Sequence, residues 1–524
     1  MSDLFTEKAA EERQKTPATN GSDTEVVADS FSEKAEHVTD EQSSDEQYPQ
    51  GLKFIALTGA SISAVFLIAL DQTSAGKIYK FFNLKWTFLW SMLIFEVGSL
   101  ICGVAPTSKA LVAGRAIAGL GGAGLSVGGT SIISLTVPPL KRPLMMGIIG
   151  MTYCLSAVLG PLLGGAFTES VTWRWCFYIN LPIGGLAAAA VVFFFNLPAA
   201  AAPPPATWKE KLLHIDLVGV ALVMGAITCF ILGLQYGGIT HPWKSSVVIG
   251  LLVGFGLLSI ALITWEIWIG DYAMMMPRLY RRRSLSATAP FQFFFMGSYI
   301  VLLYYLPLYF QSILGVSPIQ SGVNNLPLMA SAAVFFALLG GIVVMKTGRA
   351  QQVMMIGSMI TTAAIGLIYT LDIGTSTARW AGYQVFVGSV MSFAIMHGLA
   401  VAQADVGPED LAAVTANLLF FQTIGGAFST SIGQSAFVNR LLIALPETAP
   451  GVDPSLVLFT GASDLQHVFP EEVLPGVLKA YMVGLKAAFA VAIAFCGCAF
   501  LASLAIPMKK LPSHEPGEGP VAMA

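Results

Sequence analysis

The chain has 524 residues, of which 55% are hydrophobic and only 11% are charged, and its formal net charge is −3. Soluble domains carry about 25% charged residues, so this composition excludes an ordinary soluble protein. The net charge also argues against a nucleic-acid-binding protein, which needs a basic face. The six cysteines lie in or at the edge of apolar runs, so we expect buried thiols and not disulfides.

Both ends of the chain are polar. Residues 1–50 contain 13 acidic and 4 basic side chains, a composition that cannot bury a core, and we expect a disordered cytoplasmic tail. This tail shows no apolar run with a cleavage site typical of a signal peptide. Residues 508–524 form a short polar C-terminal tail.

Thirteen apolar segments lie between the tails, and most are long enough for a helix to cross about 30 Å of hydrocarbon. They are too long and too uniform for barrel strands, so we predict an all-α, polytopic membrane helical bundle. The segments are 54–70, 86–104, 109–135, 144–167, 176–197, 216–236, 246–268, 284–312, 325–345, 352–371, 381–403, 412–436 and 481–506.

Lysine and arginine positions set the orientation of the bundle. If the chain from residue 71 onward changes side at each segment, one side collects 15 of these cations and the other collects 6. The richer side is cytoplasmic, which places residue 77 and the C-terminus there. Segment 54–70 then presents a parity problem: either the acidic tail lies outside or this short segment does not cross.

The composition of the loops suggests a division of the chain. We expect an incomplete N-terminal helix bundle over 51–197, a linker with two extra helices over 198–268, and a C-terminal bundle over 269–507. Proline and alanine residues between 198 and 215 mark the boundary between the N-terminal and the C-terminal group of helices. Within the last bundle, the proline-rich stretch 437–480 is predicted to be a long external loop of irregular structure.

An arginine, Arg115, lies in the middle of the apolar segment 109–135. A charged side chain within a spanning helix is costly, so Arg115 is a functional candidate. Its helix continues with Gly119, Gly121 and Gly122, small residues that allow a neighbouring helix to approach closely.

A second glycine-rich stretch occurs in the segment 144–167. Glycines three and four residues apart make a flat helix face, and a proline favours a bend. The residues are Gly160, Pro161, Gly164 and Gly165.

These stretches resemble motifs of the major facilitator superfamily. The Arg115 stretch is similar to the motif of the fourth span, and the Gly160-Pro161 stretch to the antiporter motif of the fifth. Other stretches resemble the fourteen-span drug:proton antiporter branch, and fungal efflux pumps for toxins and secondary metabolites in particular. They are Trp173-Arg174-Trp175 with Asn180-Leu181-Pro182, Tyr304-Tyr305-Leu306-Pro307 with Phe310-Gln311, Ser321-Gly322-Val323 with Leu326-Pro327-Leu328, and Gly341 with Lys346-Thr347-Gly348-Arg349.

The resemblance implies two pseudo-symmetric six-helix bundles around a central cavity, with segments 216–236 and 246–268 as two extra helices between them. It also reveals a departure. Leu70-Asp71 is followed almost at once by Gly76-Lys77, where the family has the end of span one, a loop and span two. The region of span two is missing, either genuinely or because an exon was left out of the gene model.

Three charged residues are candidates for proton coupling. Asp71 corresponds to the family's first-span aspartate, or it only caps a shortened segment. By resemblance, Arg115 couples protonation to helix movement, although it could instead bond to carbonyl groups of a neighbouring helix. Glu96 is a carboxylate in mid-segment that either titrates or faces a hydrated cavity. Asp216 and Glu266, near the ends of their segments, are interpreted as interfacial anchors.

The residues Gly160, Pro161, Gly164 and Gly165 are assigned by resemblance to the conformational change of an antiporter. A cavity for a bulky apolar ligand needs aromatic and a few polar side chains, although the same polar groups commonly bond helices together. The candidates are Gln292, Phe294, Tyr304, Tyr305, His397, Asn417 and Gln422.

The leading interpretation is a proton-coupled exporter of small, mostly apolar compounds in a cell membrane, with a vacuolar or vesicle membrane as the alternative. Its partners are the small-molecule substrate, protons and the lipid bilayer. Two alternative hypotheses are an uptake carrier, for example for iron chelates, and a transport-incompetent protein. The sequence has no phosphate-binding loop, no metal-ligand spacing and no catalytic motif, so we expect neither a cofactor nor an enzyme.

Overall fold

A computed structural model describes residues 78–79, 81–137, 171–195, 216–335, 341–395, 397–407 and 410–510, with single positions between 144 and 170 and between 207 and 214. Apart from a bridge between Gly237 and His241, these residues form helices and connections without strands, which confirms the all-α fold. The main helices are α1 (Leu84–Val104), α2 (Ser108–Thr136), α3 (Asn180–Phe194), α4 (Leu217–Tyr236), α5 (Ser246–Ile269), α6 (Arg283–Leu314), α7 (Leu326–Phe335), α8 (Ala350–Tyr369), α9 (Thr377–Met391), α10 (His397–Ala404), α11 (Leu411–Thr448) and α12 (Leu474–Ala505). Shorter helices are Trp175–Tyr178, Gly270–Tyr272, Pro277–Tyr280, Pro318–Asn324, Gly341–Thr347, Pro454–Phe459 and Leu465–Val468.

Nine helices in the described part of the chain are long and apolar enough to cross a membrane. They coincide with nine of the thirteen predicted segments. Of the other four, 54–70 lies outside the described residues, and 144–167 is described only at single positions. Segments 325–345 and 381–403 each contain two shorter helices. The multi-pass character is therefore established, while the count of thirteen stays a prediction.

Polar side chains fix where several spans begin. Asn83 accepts hydrogen bonds from the backbone amides that open α1, and Thr107 and Ser245 cap α2 and α5 in the same way. Such caps supply acceptors to amides that the first turn leaves without partners. At the other end of a span, α6 stops at Gly315, whose φ of 63° lies in the left-handed region that glycine tolerates.

The stretch 437–480, predicted to be an external loop, contains more helix than its prolines suggested. Helix α11 continues to Thr448, because Leu441 and Leu445 are buried on its inner face and Pro446 falls only in the last turn. Two short helices follow, Pro454–Phe459 and Leu465–Val468, before α12 begins. The irregular structure is thus confined to the connections between these helices.

Glycines let the helix backbones touch. A methyl group on Gly98 of α1 would overlap the backbone of Ala118 in α2, and one on Gly121 would overlap the backbone of Phe95. Helices α6 and α11 meet in the same way, since a methyl group on Gly425 would overlap the carbonyl oxygen of Phe293. The sequence-based expectation of close packing along the Arg115 stretch therefore holds for Gly121. Small residues drive helix association in lipid because they maximise van der Waals contact.

Helices α4 and α5 pack against each other and, through an aromatic contact, against α11. The rings of Phe230 and Phe428 stack with centroids 4.1 Å apart, and the ring of Phe255 approaches both. Offset aromatic pairs of this kind contribute about 0.5–1.5 kcal/mol beyond their buried area. The two helices predicted as extra spans are thus attached to the face of α11.

Helix α2 also packs against α11. Val127 of α2 and Ala416 of α11 are both buried in one apolar cluster, together with Tyr79 and Leu84. The hydroxyl of Tyr79 donates a hydrogen bond of 2.9 Å to the carbonyl oxygen of Gly124, which holds the residues before α1 against this junction. The end of α2 and the start of α11 lie on the side predicted to be cytoplasmic, so the contact joins the two halves of the chain there.

An ion pair ties the connection after α8 to α12. The ammonium group of Lys486 lies 2.7 Å from Oδ2 of Asp372. Hydrogen bonding to Lys486 is the main cause that lowers the pKa of Asp372 below its usual 3.8, with a further contribution from the backbone amide of Ile373. The carboxylate is 58% exposed, so solvent limits the value of this pair to less than about 1 kcal/mol.

Substitution of Gly425 tests the contact between α6 and α11. We expect Gly425→Ala to destabilise the protein by about 1–3 kcal/mol, because backbone atoms of α6 must move. Gly366→Ala is the matched control: a methyl group there meets nothing within 4 Å, and alanine gains up to about 1 kcal/mol of helix propensity. Thermal unfolding of the purified variants measures both, and equal unfolding temperatures would contradict the assignment.

Acid titration tests the Asp372–Lys486 pair. Because the folded pKa of Asp372 is lowered, its contribution to stability is complete above the ordinary value of 3.8 and is lost as the pH falls through the folded value. Lys486→Met should therefore lower stability slightly at neutral pH and remove this part of the acid dependence. Unfolding of the two proteins followed from neutral pH downward measures the difference, and parallel curves would show that the pair has no influence.

Candidate functional site

Glu96 lies in mid-span on α1 and faces α3. Its Oε1 atom occupies the space that a methyl group on Gly184 would need, so the glycine makes room for the carboxylate. Its Oε2 atom is buried and has no hydrogen-bond partner among the described residues. One turn away, Asn180 donates a hydrogen bond of 3.2 Å to the hydroxyl of Ser99. A carboxyl group within a span that has no hydrogen-bond partner among the described residues is a candidate for function.

The Trp-Arg-Trp stretch positions this interface. Arg174 donates a hydrogen bond of 3.1 Å from Nη2 to the carbonyl oxygen of Ala105, at the end of α1, and stacks over the ring of Trp173 at 4.5 Å. The ring of Tyr178 packs against Gly103. These contacts anchor the start of α3 against the last turn of α1, which aligns Gly184 with Glu96.

The other two proton-coupling candidates stand apart from Glu96. Arg115 lies on an exposed position of α2, and no hydrogen bond or ion pair joins it to Glu96 in the described part of the chain. Its neighbour Gly114 faces α1 instead, where a methyl group would come within 2.8 Å of the Cys102 sulfur. Asp71 lies outside the described residues. Of the two candidates that the structure describes, Glu96 lies at the α1–α3 interface and Arg115 lies at an exposed position.

The antiporter-like glycines are described in part. Gly160 and Gly164 are helical, and a methyl group on either would meet no described atom within 4 Å. Pro161 and Gly165 lie outside the described residues. The flat face that the spacing predicts therefore stays a prediction.

A second polar region lies between α6 and α10. Gln292 is completely buried, and both atoms of its amide group lack a hydrogen-bond partner among the described residues. Its Nε2 atom lies 2.6 Å from the position of a methyl group on Gly398, beside Thr288. His397 is buried at the start of α10. A buried amide without protein partners provides donors and an acceptor for water or for a substrate.

The polar candidates on α11 differ in how they are bonded. Asn417 accepts a hydrogen bond of 3.0 Å from the hydroxyl of Tyr280 and donates one to the carbonyl oxygen of Ala413. Its amide group therefore connects α11 to the short helix Pro277–Tyr280. Gln422 is buried, and its Nε2 atom has no partner among the described residues. Of the two, Gln422 is the one with capacity left for a ligand.

The aromatic candidates on α6 do not share one face. Tyr304 is 59% exposed, whereas Tyr305 is fully buried and bonds through its hydroxyl to Oε1 of Gln434 at 3.1 Å. Phe294 packs against Phe495 with ring centroids 5.5 Å apart. Tyr304 thus faces away from the interior that contains the other two.

The two carboxylates interpreted from the sequence as interfacial anchors, Asp216 and Glu266, lie at the ends of the predicted extra helices and are both buried. Asp216 is 4% exposed and Glu266 is 6% exposed. Asp216 accepts hydrogen bonds from the amide of Gly219 and, across the loop, from the indole of Trp265 at 2.8 Å and the amide of Met274 at 2.9 Å. The aspartate directly before α4 is a helix-cap signal that the sequence offers; its distant donors leave no local signal.

Comparison with known proteins is consistent with this architecture. Residues 54–430 match the Major Facilitator Superfamily. The "MFS-type transporter thnB" of Trichoderma harzianum is 49% identical over 90% of this chain and 87% of its own length. The "Probable efflux pump gsfJ" of Penicillium aethiopicum is 42% identical, with 90% of each chain covered.

A solved structure shows the same fold at low sequence identity. The human organic anion transporter MFSD10 (TETRAN) superposes with a TM-score of 0.53 over 86% of this chain and 83% of its own, at 15% identity. Members of this family are transporters and not enzymes, as the lack of a catalytic motif indicated. From its helices and its similarity over most of its length, the chain is a multi-pass membrane protein that belongs to the Major Facilitator Superfamily.

Proposed function

We propose that the protein is a proton-coupled exporter of small, mostly apolar compounds of the toxin, drug or secondary-metabolite class. The observation that carries the proposal is Glu96, a carboxylate at a helix interface within a span with one oxygen unbonded among the described residues. One relative is named as a transporter and another as a probable efflux pump, which supports export as the direction of transport. The alternatives are an uptake carrier for iron chelates or similar solutes and a transport-incompetent protein.

Protonation of Glu96 gives a physical reason for movement. The charged carboxylate disfavours an apolar setting, whereas the neutral acid can be enclosed between α1 and α3. The carboxylate of Glu96 fills the space beside Gly184, and no further atom fits there. A change in the hydration of this carboxylate therefore alters how closely α1 and α3 pack. Proton entry down its gradient would thereby drive one orientation of the helix groups, and proton release the other.

The contact between α2 and α11 supports alternating access. It closes an apolar cluster around Val127 and Ala416 on the side predicted to be cytoplasmic. A carrier that rocks between two states must break such a contact to open that side. We expect opening to give a substrate access to buried amide groups such as those of Gln292 and Gln422, which have bonding capacity left among the described residues.

The proposed substrate class rests on aromatic side chains of α6, α11 and α12, since α6 and α11 also carry Gln292 and Gln422. The rings of Phe293, Phe294, Phe428 and Phe495 approach one another with centroids about 5–6 Å apart. Aromatic side chains and amide groups without partners among the described residues, carried by the same helices, suit planar, mostly apolar molecules with one or two polar substituents. Conjugated polyketides are a natural panel of probes with these properties.

Efflux from a pump-deficient yeast strain tests the proposal. We expect expression of the chain to lower the retained amount of at least one apolar polyketide in the panel, and a protonophore to abolish the effect. Glu96→Gln keeps the shape and removes the titration, so efflux should fall about tenfold or more, within the usual range of coupling free energies. Glu447→Gln is the control, because Glu447 is exposed near the end of α11.

Each other result has a definite meaning. Accumulation above the empty-vector control indicates uptake, and unchanged retention across the panel indicates a transport-incompetent protein. Full protonophore-sensitive efflux by Glu96→Gln would leave export standing but remove Glu96 from proton coupling.

Cross-linking tests alternating access. Cysteines introduced together at Val127 and Ala416 should be joined by a short flexible bis-maleimide, because both positions lie in one buried cluster. We expect the cross-linked protein to lose efflux by more than tenfold, since α2 and α11 can no longer separate. Each single variant and the unsubstituted protein, treated in the same way, should keep transporting. Full efflux after complete cross-linking would show that this contact does not open.

A further inference from the structure

Four chain segments meet at the end of the molecule predicted to be cytoplasmic. Arg283, at the start of α6, donates a hydrogen bond of 2.9 Å to the carbonyl oxygen of Ala505, at the end of α12. Gln351, at the start of α8, donates one of 3.2 Å to the carbonyl oxygen of Ser503. Lys509 pairs at 3.4 Å with Asp405, in the connection between α10 and α11. The last turn of α12 is therefore fixed against the starts of α6 and α8, and Lys509 just beyond it is paired with the connection before α11.

Positive charge is in excess on this surface. Nine cations stand against six carboxylates in the described residues of this end, which leaves three positive charges. The guanidinium of Arg278 lies 3.0 Å from Asp410 and 3.6 Å from Asp271. The nine cations are Lys85, Arg278, Arg281, Arg282, Arg283, Lys346, Arg349, Lys509 and Lys510, and the carboxylates are Glu210, Asp216, Glu266, Asp271, Asp405 and Asp410.

Two adjoining cavities are bounded by these cations. The larger, of about 470 Å³, is lined by Arg282, Arg283, Asp405, Pro507 and Lys509. The smaller, of about 200 Å³, is lined by Arg349, Gln351, Gln352, Met508, Lys509 and Lys510. Lys509 borders both. Its partner Asp405 also accepts a hydrogen bond from Ser284, and its backbone carbonyl accepts one from Arg282, so the acidic group is already engaged.

An apolar surface adjoins the cations. Leu501, Leu504 and Met508 are exposed along the last turns of α12 and just beyond it. Cations beside exposed apolar side chains at the end of a span are typical of the boundary between headgroups and acyl chains. A soluble polyanion would gain nothing from these leucines, whereas the tails of a lipid would cover them.

We propose that this surface, bounded by Arg282, Arg283, Arg349, Lys509 and Lys510, binds the headgroup of a phosphoinositide of the cytoplasmic leaflet. Guanidinium and ammonium groups are the side chains that bind phosphate oxygens. Two cavities that share Lys509 suit a headgroup with two phosphates, one in each, and the diester end directs the acyl chains toward Leu501 and Leu504. This site is independent of Glu96 and of the direction of transport.

Lipid binding by the full-length protein in nanodiscs tests the site. We expect phosphatidylinositol phosphate added to phosphatidylcholine to bind and to raise the unfolding temperature. Each cation near a membrane surface is worth about 1 kcal/mol, so Arg349→Gln with Lys510→Gln should weaken binding about thirtyfold. The matched control, Lys244→Gln with Arg379→Gln, neutralises two exposed cations on the predicted external side and should leave the affinity unchanged.

Several results would overturn the proposal. They are equal binding by both double variants, no preference for phosphatidylinositol phosphate over phosphatidylcholine, and inorganic phosphate or a soluble inositol phosphate that binds as tightly as the lipid. If the Arg349 and Lys510 variant does not fold, salt titration of the unsubstituted protein replaces it. Headgroup binding should then weaken steeply as ionic strength rises, because exposed charges are screened; binding insensitive to salt contradicts the site.

Discussion

The close approach of helix backbones at glycine is the constraint on which the rest of this structure depends. Within lipid there is no hydrophobic force between spans, so contact area and interhelical hydrogen bonds hold the bundle together. Gly121 and Gly425 bring backbones into contact at two helix pairs, and Gly184 opens the space that Glu96 fills. The same small residues therefore account for packing and for the placement of a carboxylate within a span.

Buried carboxylates in this protein serve different ends according to their partners. Asp216 accepts three hydrogen bonds, which fixes the start of α4 to α5 and to the connection before α6. A fully bonded carboxylate of this kind rigidifies its surroundings. Glu96 has an oxygen without such donors among the described residues, which is why the proposal assigns proton coupling to it.

The sequence was informative where the signal is local. Apolar length located nine spans, and Asn83, Thr107 and Ser245 mark helix starts in the way capping requires. The sequence did not indicate which face of each helix points to the interior, because a helix that is apolar all round has no amphipathic periodicity. Adjacent Tyr304 and Tyr305 therefore point in different directions without any sequence signal. Two of the three donors to Asp216 lie 49 and 58 residues away, beyond any local pattern.

The separation of the two polar regions constrains how proton and substrate can influence each other under the proposed mechanism. Glu96 lies between α1 and α3, whereas Gln292 lies between α6 and α10, and α2 joins the two groups through α11. A proton on Glu96 cannot bond a substrate near Gln292 directly. Under the proposed mechanism, coupling passes through the packing of α2 on α11. A change there shifts whole groups of helices and so alters the geometry around the substrate. Mutations at that junction should then alter the coupling of transport to protons without touching either site.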